Sequence, residues 1–146
     1  MPATHHESPL ATIDPVTLYA ILRLRVDVFV VEQDCPYPEL DGRDTEPGTV
    51  LLWTEGDDGR VLATVRVLHD GDDRRIGRVA TALEARGAGH AGALMTRAVE
   101  LCEGRLTRLD AQERLEAWYG RFGFVTSGER FLEDDIWHVP MTRAAG

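Results

Sequence analysis

The chain contains no lysine: its 16 basic residues are all arginine, and 25 acidic residues give a formal net charge of −9. Nucleic-acid binding depends on clustered basic residues that neutralise phosphates, so this balance predicts no nucleic-acid partner. The negative charge is compatible with a cationic substrate such as an amine. Solubility explains the same charge, and composition alone does not decide between the two.

Cysteine and long apolar runs are also scarce. Cys35 and Cys102 form neither a disulfide framework nor a metal-binding spacing, which predicts a reduced, cytoplasmic protein without a metal site. No apolar run reaches the roughly 18 residues of a membrane span, and residues 1–7 lack the basic start and apolar core of a secretory signal. With 146 residues, 43% of them hydrophobic, the chain is expected to form a single domain, 1–146.

The hydrophobic pattern contains both strand and helix signals. Asp14-Pro15 predicts a helix start, because Asp accepts hydrogen bonds from first-turn N–H groups and Pro fits the first helical position. The predicted strands are 4–12, 49–55, 61–69, 75–81, 107–111, 124–130 and 135–142, and the predicted helices run from 14 to 31–33, from 93 to 103 and from 114 to 121. Val61, Ala63, Val65 and Val67 are expected on one face. This order predicts an α+β sheet with helices on its faces.

A glycine-rich stretch, Arg86-Gly87-Ala88-Gly89-His90-Ala91-Gly92, follows a predicted strand and leads into a predicted helix. A small-residue loop at a helix start leaves backbone N–H groups unpaired, and the helix dipole adds positive charge there. The stretch therefore predicts a phosphate or pyrophosphate site, with Arg86 as an additional cation. A Rossmann loop would follow the first strand of a βαβ unit, and a P-loop would need a Gly-Lys pair; the chain has neither.

Two motifs resemble the GCN5-related N-acetyltransferase (GNAT) family. Arg86-x-x-Gly89-x-Ala91 is similar to the family's acetyl-CoA signature, and Trp118-Tyr119-x-x-Phe122-Gly123-Phe124 is similar to its second signature. Residues 16–143 further resemble the ElaA-type subfamily. The resemblance implies the GNAT fold: a mixed, mostly antiparallel sheet of six to seven strands with helices on both faces, and a β-bulge and splay at strands 4 and 5.

The resemblance also implies acetyl-CoA as the cosubstrate and no metal. The implied cofactor-binding residues are Val79, Ala80, Thr81, Arg86, Gly87, Ala88, Gly89, His90, Ala91, Gly92, Gln112, Trp118, Tyr119 and Phe122. Two positions depart from the family pattern. Ala91 replaces the commoner glycine near the pyrophosphate path, and Asp110 stands where a small residue is more usual.

The family transfers acetyl directly to an amine, so the thiolate needs a general acid and the amine needs a base. Tyr119 holds the family's general-acid position. Glu32, at the end of the first predicted helix, and His138 are the first candidates for the base; histidine is the side chain that titrates nearest neutrality in free peptides. Further candidate bases are Asp41, Asp44 and Glu133.

Two other residues stand out near the predicted acceptor site. Arg25 interrupts the apolar stripe of the first helix, and a buried charge there needs a partner, either Glu32 or a loop carboxylate. The alternative is an arginine that extends to solvent. Cys35 is a candidate nucleophile, but it lacks an obvious base, and the family's direct transfer disfavours that role.

The resemblance leaves the acceptor open, as a small-molecule amine or a peptide or protein amine, and a homodimer is one expectation because dimers are common in the family. Two other functions remain as alternatives. One is a CoA-binding module without turnover, acting as a sensor or partner subunit. The other is an acyl-homoserine-lactone synthase, which the short chain disfavours.

Overall fold

Residues 3–146 are described by a computed structural model, and they form an eight-stranded sheet. The strands are β1 (Thr4–Ser8), β2 (Val50–Glu55), β3 (Val61–Asp70), β4 (Asp73–Thr81), β5 (Thr107–Gln112), β6 (Val125–Thr126), β7 (Phe131–Glu133) and β8 (Ile136–Arg143). Their order is β1-β2-β3-β4-β5-β8-β6, and β7 pairs with β8. Every pair is antiparallel except β4 with β5. The predicted mixed, mostly antiparallel sheet is confirmed, with eight strands rather than six or seven.

Within the described residues, the α-helices are α1 (Pro15–Val26), α2 (His90–Leu101) and α3 (Glu116–Gly120). α1 begins as predicted, because the Asp14 carboxylate accepts hydrogen bonds from the N–H groups of Val16 (3.1 Å) and Thr17 (3.2 Å). Its continuation, Asp27–Glu32, is a π-helical turn, a feature frequent at functional sites. No helix among residues 3–146 is long and apolar enough to cross a membrane.

Hydrophobic side chains pack on both faces of the sheet, which confirms the prediction that helices cover both. Side chains alternate along β2, so Leu52 packs in the cluster of α2 while Leu51 and Trp53 pack in the cluster of α1. The core thus lies in two layers, with the sheet between them.

The prediction that Val61 shares a face with Ala63, Val65 and Val67 is wrong. The last three pack in the α2 cluster, whereas Val61 packs in the α1 cluster. The cause is a register shift between β2 and β3, where Thr54 pairs with Ala63 but Glu55 pairs with Val61. An irregularity of one residue moves a side chain to the opposite face.

The predicted strands 4–12 and 124–130 are shorter in the structure. β1 ends at Ser8, and a 3₁₀ turn (Leu10–Thr12) follows it. Segment 124–130 contributes only the two-residue β6, and the separate β7 forms a hairpin with β8. The hairpin turn is Asp134-Asp135, with φ of 49° and 63°, the left-handed conformation that two-residue hairpin turns require.

β4 and β5 separate after a short parallel pairing. Arg74 pairs with Thr107 and Arg75 with Arg108, and the pairing stops there. No strand of residues 3–146 pairs with the edge of β4 that faces β5 from residue 76 to residue 81. Because β5 is paired along its length with β8 on its other side, the two strands diverge. The expected splay is confirmed.

β4 also carries one extra residue opposite β3. Thr64 pairs with Ala80 and Arg66 with Gly77, so Arg78 and Val79 stand together where β3 supplies one residue. The φ of Arg78 is 53°, and this left-handed conformation costs a residue other than glycine about 1–2 kcal/mol. The expected bulge is confirmed at residues 78–79.

Arg25 is buried, with 1% of its side chain exposed, and its partners are loop carboxylates rather than Glu32. Its Nε donates to Glu39 (2.7 Å) and its Nη1 donates to Asp44 (2.6 Å). The alternative of an arginine that extends to solvent is therefore wrong. The contacts tie α1 to loop 34–46, which spans the chain between the π-helical turn and β2.

We expect Arg25→Met to lower the free energy of unfolding by about 3–5 kcal/mol, because it leaves buried carboxylates without their cation. Urea unfolding measures the change. The matched control is Arg23→Met on the same helix, where the side chain is 74% exposed and 3.8 Å from Asp27; its effect should stay within about 0.5 kcal/mol. Equal effects of the two substitutions would contradict a structural role for the Arg25 contacts.

Candidate active site

A cleft of about 850 Å³ opens where β4 and β5 diverge. Most of the residues expected to bind a cofactor line it, and these are Val79, Ala80, Thr81, Arg86, Gly87, Gly89, His90, Ala91, Gly92, Gln112, Trp118 and Tyr119. The candidate bases Glu32, Glu133 and His138 line it as well. Ala88 and Phe122 do not: Ala88 is exposed, and Phe122 packs against the hydrophobic core.

The loop before α2 presents unpaired backbone donors to this cleft. Gly87 and Gly89 have φ of 88° and 80°, a conformation that favours glycine. Gly89 caps α2 without a side-chain hydrogen bond, and the first turn holds no acidic residue. The first intrahelical bond runs from the N–H of Ala93 to the carbonyl of Gly89 (3.0 Å), so earlier N–H groups have no helical acceptor. The arrangement favours an anion at this end of the cleft.

Arg86 and Glu32, both expected to act in catalysis or cofactor binding, bind each other. The Arg86 guanidinium donates through Nη1 (2.8 Å) and Nη2 (2.6 Å) to the two carboxylate oxygens of Glu32, and through Nε to the carbonyl of Thr81 (3.1 Å). The hydrogen bonds from Arg86 lower the pKa of Glu32 below its ordinary value of 4.5. Glu32 is therefore ionised at neutral pH and a weak base in this pair.

Tyr119 stands at the inner end of the cleft with only 7% of its surface exposed. Burial raises its pKa to about 12, so the phenol carries its proton at neutral pH. The Trp118 ring packs edge-on against Tyr119, with centroids 4.9 Å apart, and against Phe122 at 5.1 Å. Phe122 thus supports the aromatic wall from behind, which corrects its expected place in the cofactor site.

Two other candidate bases are held by arginine. Burial alone would raise the pKa of Asp41, but hydrogen bonds from Arg66 and from the N–H of Arg43 hold it at about 2. Asp44 is buried against Arg25 and does not line the cleft. Both carboxylates organise the loop, and neither is placed to take a proton in the cleft.

His138 lies on β8 opposite Gln112 of β5, where both side chains line the cleft. Its Nδ1 is 2.8 Å from the carbonyl of Ile136, and the Phe131 ring stacks on it with centroids 5.6 Å apart. A carbonyl accepts only, so this contact assigns the proton to Nδ1 and leaves Nε2 as the acceptor. Glu133 is near it and makes no ion pair with residues 3–146.

Cys35 is buried at the acceptor end, and its thiol donates to the carbonyl of Asp134 (3.2 Å). Burial, with the nearby charges of Asp134, Asp135 and Asp34, raises the pKa of this thiol. A protonated thiol is a poor nucleophile. The surroundings of Cys35 therefore agree with a structural role.

Three contacts of the cleft had no signal in the sequence. Gln112 donates to the side chain of Gln33 (3.1 Å), which joins β5 to the end of the π-helical turn, and Arg114 donates to Gln112. Arg78 binds Glu39, a contact between residues far apart in the chain. Position next to the predicted helix end marked Gln33 as a candidate, but its partner could not be read from spacing.

Comparison with known proteins places this geometry in a family. The model of the acetyltransferase (GNAT) domain matches residues 26–145. The chain belongs to the GNAT acetyltransferase family. The UPF0039 protein Rv2851c of Mycobacterium tuberculosis is 48% identical to it over 135 residues, which cover 90% of this chain and 86% of that protein.

Solved structures agree with the family assignment. An acyl-CoA N-acyltransferase from Pseudomonas aeruginosa has a TM-score of 0.92 at 41% identity, and ElaA from Escherichia coli has a TM-score of 0.91 at 31% identity. Each comparison covers 98% of this chain and 100% of the other. The resemblance to the GNAT family and its ElaA-like members is confirmed. Members of the family generally use acyl-CoA donors, which fits an anion site at one end of a long cleft.

We expect Arg86→Gln to raise the pKa of Glu32 toward its ordinary value of 4.5, because Arg86 is the main cause of the lowered pKa. The wild-type pair is complete at neutral pH and is lost only as pH falls through the lowered pKa. A ¹³C NMR titration of the glutamate carboxylates measures the shift. Arg97→Gln, which removes a surface pair with Glu7 on α2, is the control and should leave Glu32 unchanged. An unchanged Glu32 titration in Arg86→Gln would contradict the pairing.

Proposed function

We propose that the protein is an acetyl-CoA-dependent N-acetyltransferase that transfers acetyl to a primary amine by direct attack. The observation that carries this proposal is the unpaired edge of β4, from residue 76 to residue 81, which runs along a cleft between the α2 N-terminus and Tyr119. An extended chain with amide groups binds to such an edge as an added strand does. Acetyl-CoA supplies that shape, with a pyrophosphate at one end and a thioester at the other.

The residues present fit such a donor. The uncapped N–H groups at the start of α2 and the guanidinium of Arg86 supply the donors that a pyrophosphate needs. Glu32 must release Arg86, at least in part, since a carboxylate beside the phosphates would repel them. A phosphate that takes Arg86 would thus leave the Glu32 carboxylate facing the acceptor end of the cleft.

The chemistry requires one proton to leave the amine and one to reach sulfur. The amine attacks the thioester carbonyl, the C–N bond forms and the C–S bond breaks. Tyr119, protonated because its pKa is about 12, donates to the departing thiolate. The Nε2 atom of His138 takes the proton from the amine, because its Nδ1 is committed to Ile136. Backbone N–H groups at the bulge of β4 stabilise the oxyanion.

Charge at the acceptor end favours a cationic amine. A second opening of about 670 Å³ adjoins the cleft and shares its lining residues Tyr37, Arg66 and Arg78. Its arginines are paired with carboxylates, whereas Glu133 and Asp134 form no ion pair with residues 3–146. The uncompensated charge there is therefore negative, which attracts an ammonium group.

Thiol release from acetyl-CoA, measured against polyamines, aminoglycosides, amino acids and peptides, tests the function. We expect release with at least one amine, and faster release with polyamines than with amino acids, whose carboxylates Glu133 and Asp134 repel. Tight acetyl-CoA binding without release across the panel would support the non-catalytic module instead. A lactone product formed from an acyl carrier protein would support the synthase alternative.

We expect Tyr119→Phe to lower kcat by about 10²-fold, because general-acid catalysis typically contributes 10²–10⁴-fold, and to leave the affinity for acetyl-CoA within about twofold. The ring is kept, so the core should stay intact. Tyr19→Phe is the matched control, since Tyr19 lies on α1 with 72% of its surface exposed. A kcat within about twofold of wild type for Tyr119→Phe would exclude Tyr119 as the required acid.

A further inference from the structure

Arg78 combines a strained backbone with strong side-chain contacts. It is the first bulge residue of β4, at φ 53°, a position where bulges of this kind carry glycine. The preceding residue is Gly77, so the chain has a glycine beside the position and an arginine at it. A left-handed conformation at arginine persists only where surrounding contacts hold it.

The contacts that hold Arg78 come from the acceptor loop. Its Nε donates to the Glu39 carboxylate (2.8 Å), and its Nη2 donates to the Glu39 carbonyl (3.1 Å) and to Asp41 (3.2 Å). Its guanidinium carbon lies 5.5 Å from the centroid of the Tyr37 ring. One planar guanidinium thus binds several groups of the loop at once, which a lysine cannot do.

Glu39 is itself a fixed point. Only 2% of its side chain is exposed, and the oxygen that binds Arg78 also accepts from Arg25 of α1 at 2.7 Å. Its other oxygen accepts from the Tyr37 hydroxyl (2.7 Å). A rigid helix, a buried carboxylate and the bulge therefore form one connected set of charge-assisted hydrogen bonds.

We propose that Arg78 is a positioning residue for acyl transfer: its clamp on Glu39 fixes the bulge, so that the N–H of Val79 holds a constant direction in the cleft. This inference rests on the proposed function, because it concerns the donor for the oxyanion. A backbone donor stabilises developing charge only if it is preorganised, and misplacing one costs up to 10²–10³-fold in kcat. Arg78 acts through the backbone and does not bind the pyrophosphate end of the cleft.

Two substitutions separate the clamp from the backbone strain. Arg78→Gly adopts the left-handed conformation freely but has no side chain to bind Glu39. Arg78→Lys keeps the charge but cannot reproduce the fork. Arg74→Lys is the control, because Arg74 lies on the same strand outside the cleft and donates only to the carbonyls of Gly71 and Asp73.

We expect kcat to fall about 10–100-fold in Arg78→Gly and about tenfold in Arg78→Lys, with acetyl-CoA affinity within about twofold of wild type. The urea midpoint of Arg78→Gly should be unchanged or higher, because the strain is relieved. A merely structural role predicts the opposite: a lower midpoint, with kcat and affinity reduced together. Either that outcome or an unchanged kcat overturns the proposal. If Arg78→Gly does not fold, the same criteria apply to Arg78→Lys.

A second readout does not depend on turnover. The NMR order parameter of the Val79 N–H should be near about 0.85 in the wild type and in Arg74→Lys, and should fall below about 0.6 in Arg78→Lys. A rigid Val79 in Arg78→Lys overturns the clamp whatever the activity. If the wild type releases no thiol with any amine, the proposed function fails on that result, and the order parameter alone decides whether Arg78 holds the bulge.

Discussion

The divergence of β4 from β5 is the constraint on which the rest of the site depends. A parallel pair that continued to the ends of both strands would satisfy the backbone groups of β4 and leave no cleft. Here the pairing stops at Arg75 and Arg108, while β8 holds β5 along its whole length. The crossover helix α2 starts at the open end, so its unpaired N–H groups and the free edge of β4 face the same space.

The absence of lysine has a structural counterpart. Arg25, Arg66 and Arg86 each bind carboxylates through two or more nitrogens, a geometry that the guanidinium permits and an ammonium does not. Buried charges are tolerable only when they are paired, and these forks pair them. The same contacts link α1, the acceptor loop and the bulge. An all-arginine composition, which reads first as a codon effect, therefore matches what this site uses.

Local signals allowed much of the fold to be predicted. The Asp14-Pro15 cap, the glycine-rich loop and the Trp118-Tyr119 pair each depend on neighbours a few residues away, and the structure places them as their chemistry indicated. Long-range choices were not readable. Spacing could not show that Arg25 selects Glu39 and Asp44 over Glu32 or that Phe122 turns to the core, because tertiary packing decides those contacts.

The central claim is that the space between β4 and β5 is the donor site, and a crystal structure of the complex with CoA tests it most directly. The account predicts pantetheine along the edge of β4 at residues 76–81, phosphates at the start of α2, and Arg86 turned from Glu32 toward them. CoA bound outside this cleft, or bound within it with its phosphates away from the α2 N-terminus, would contradict the account.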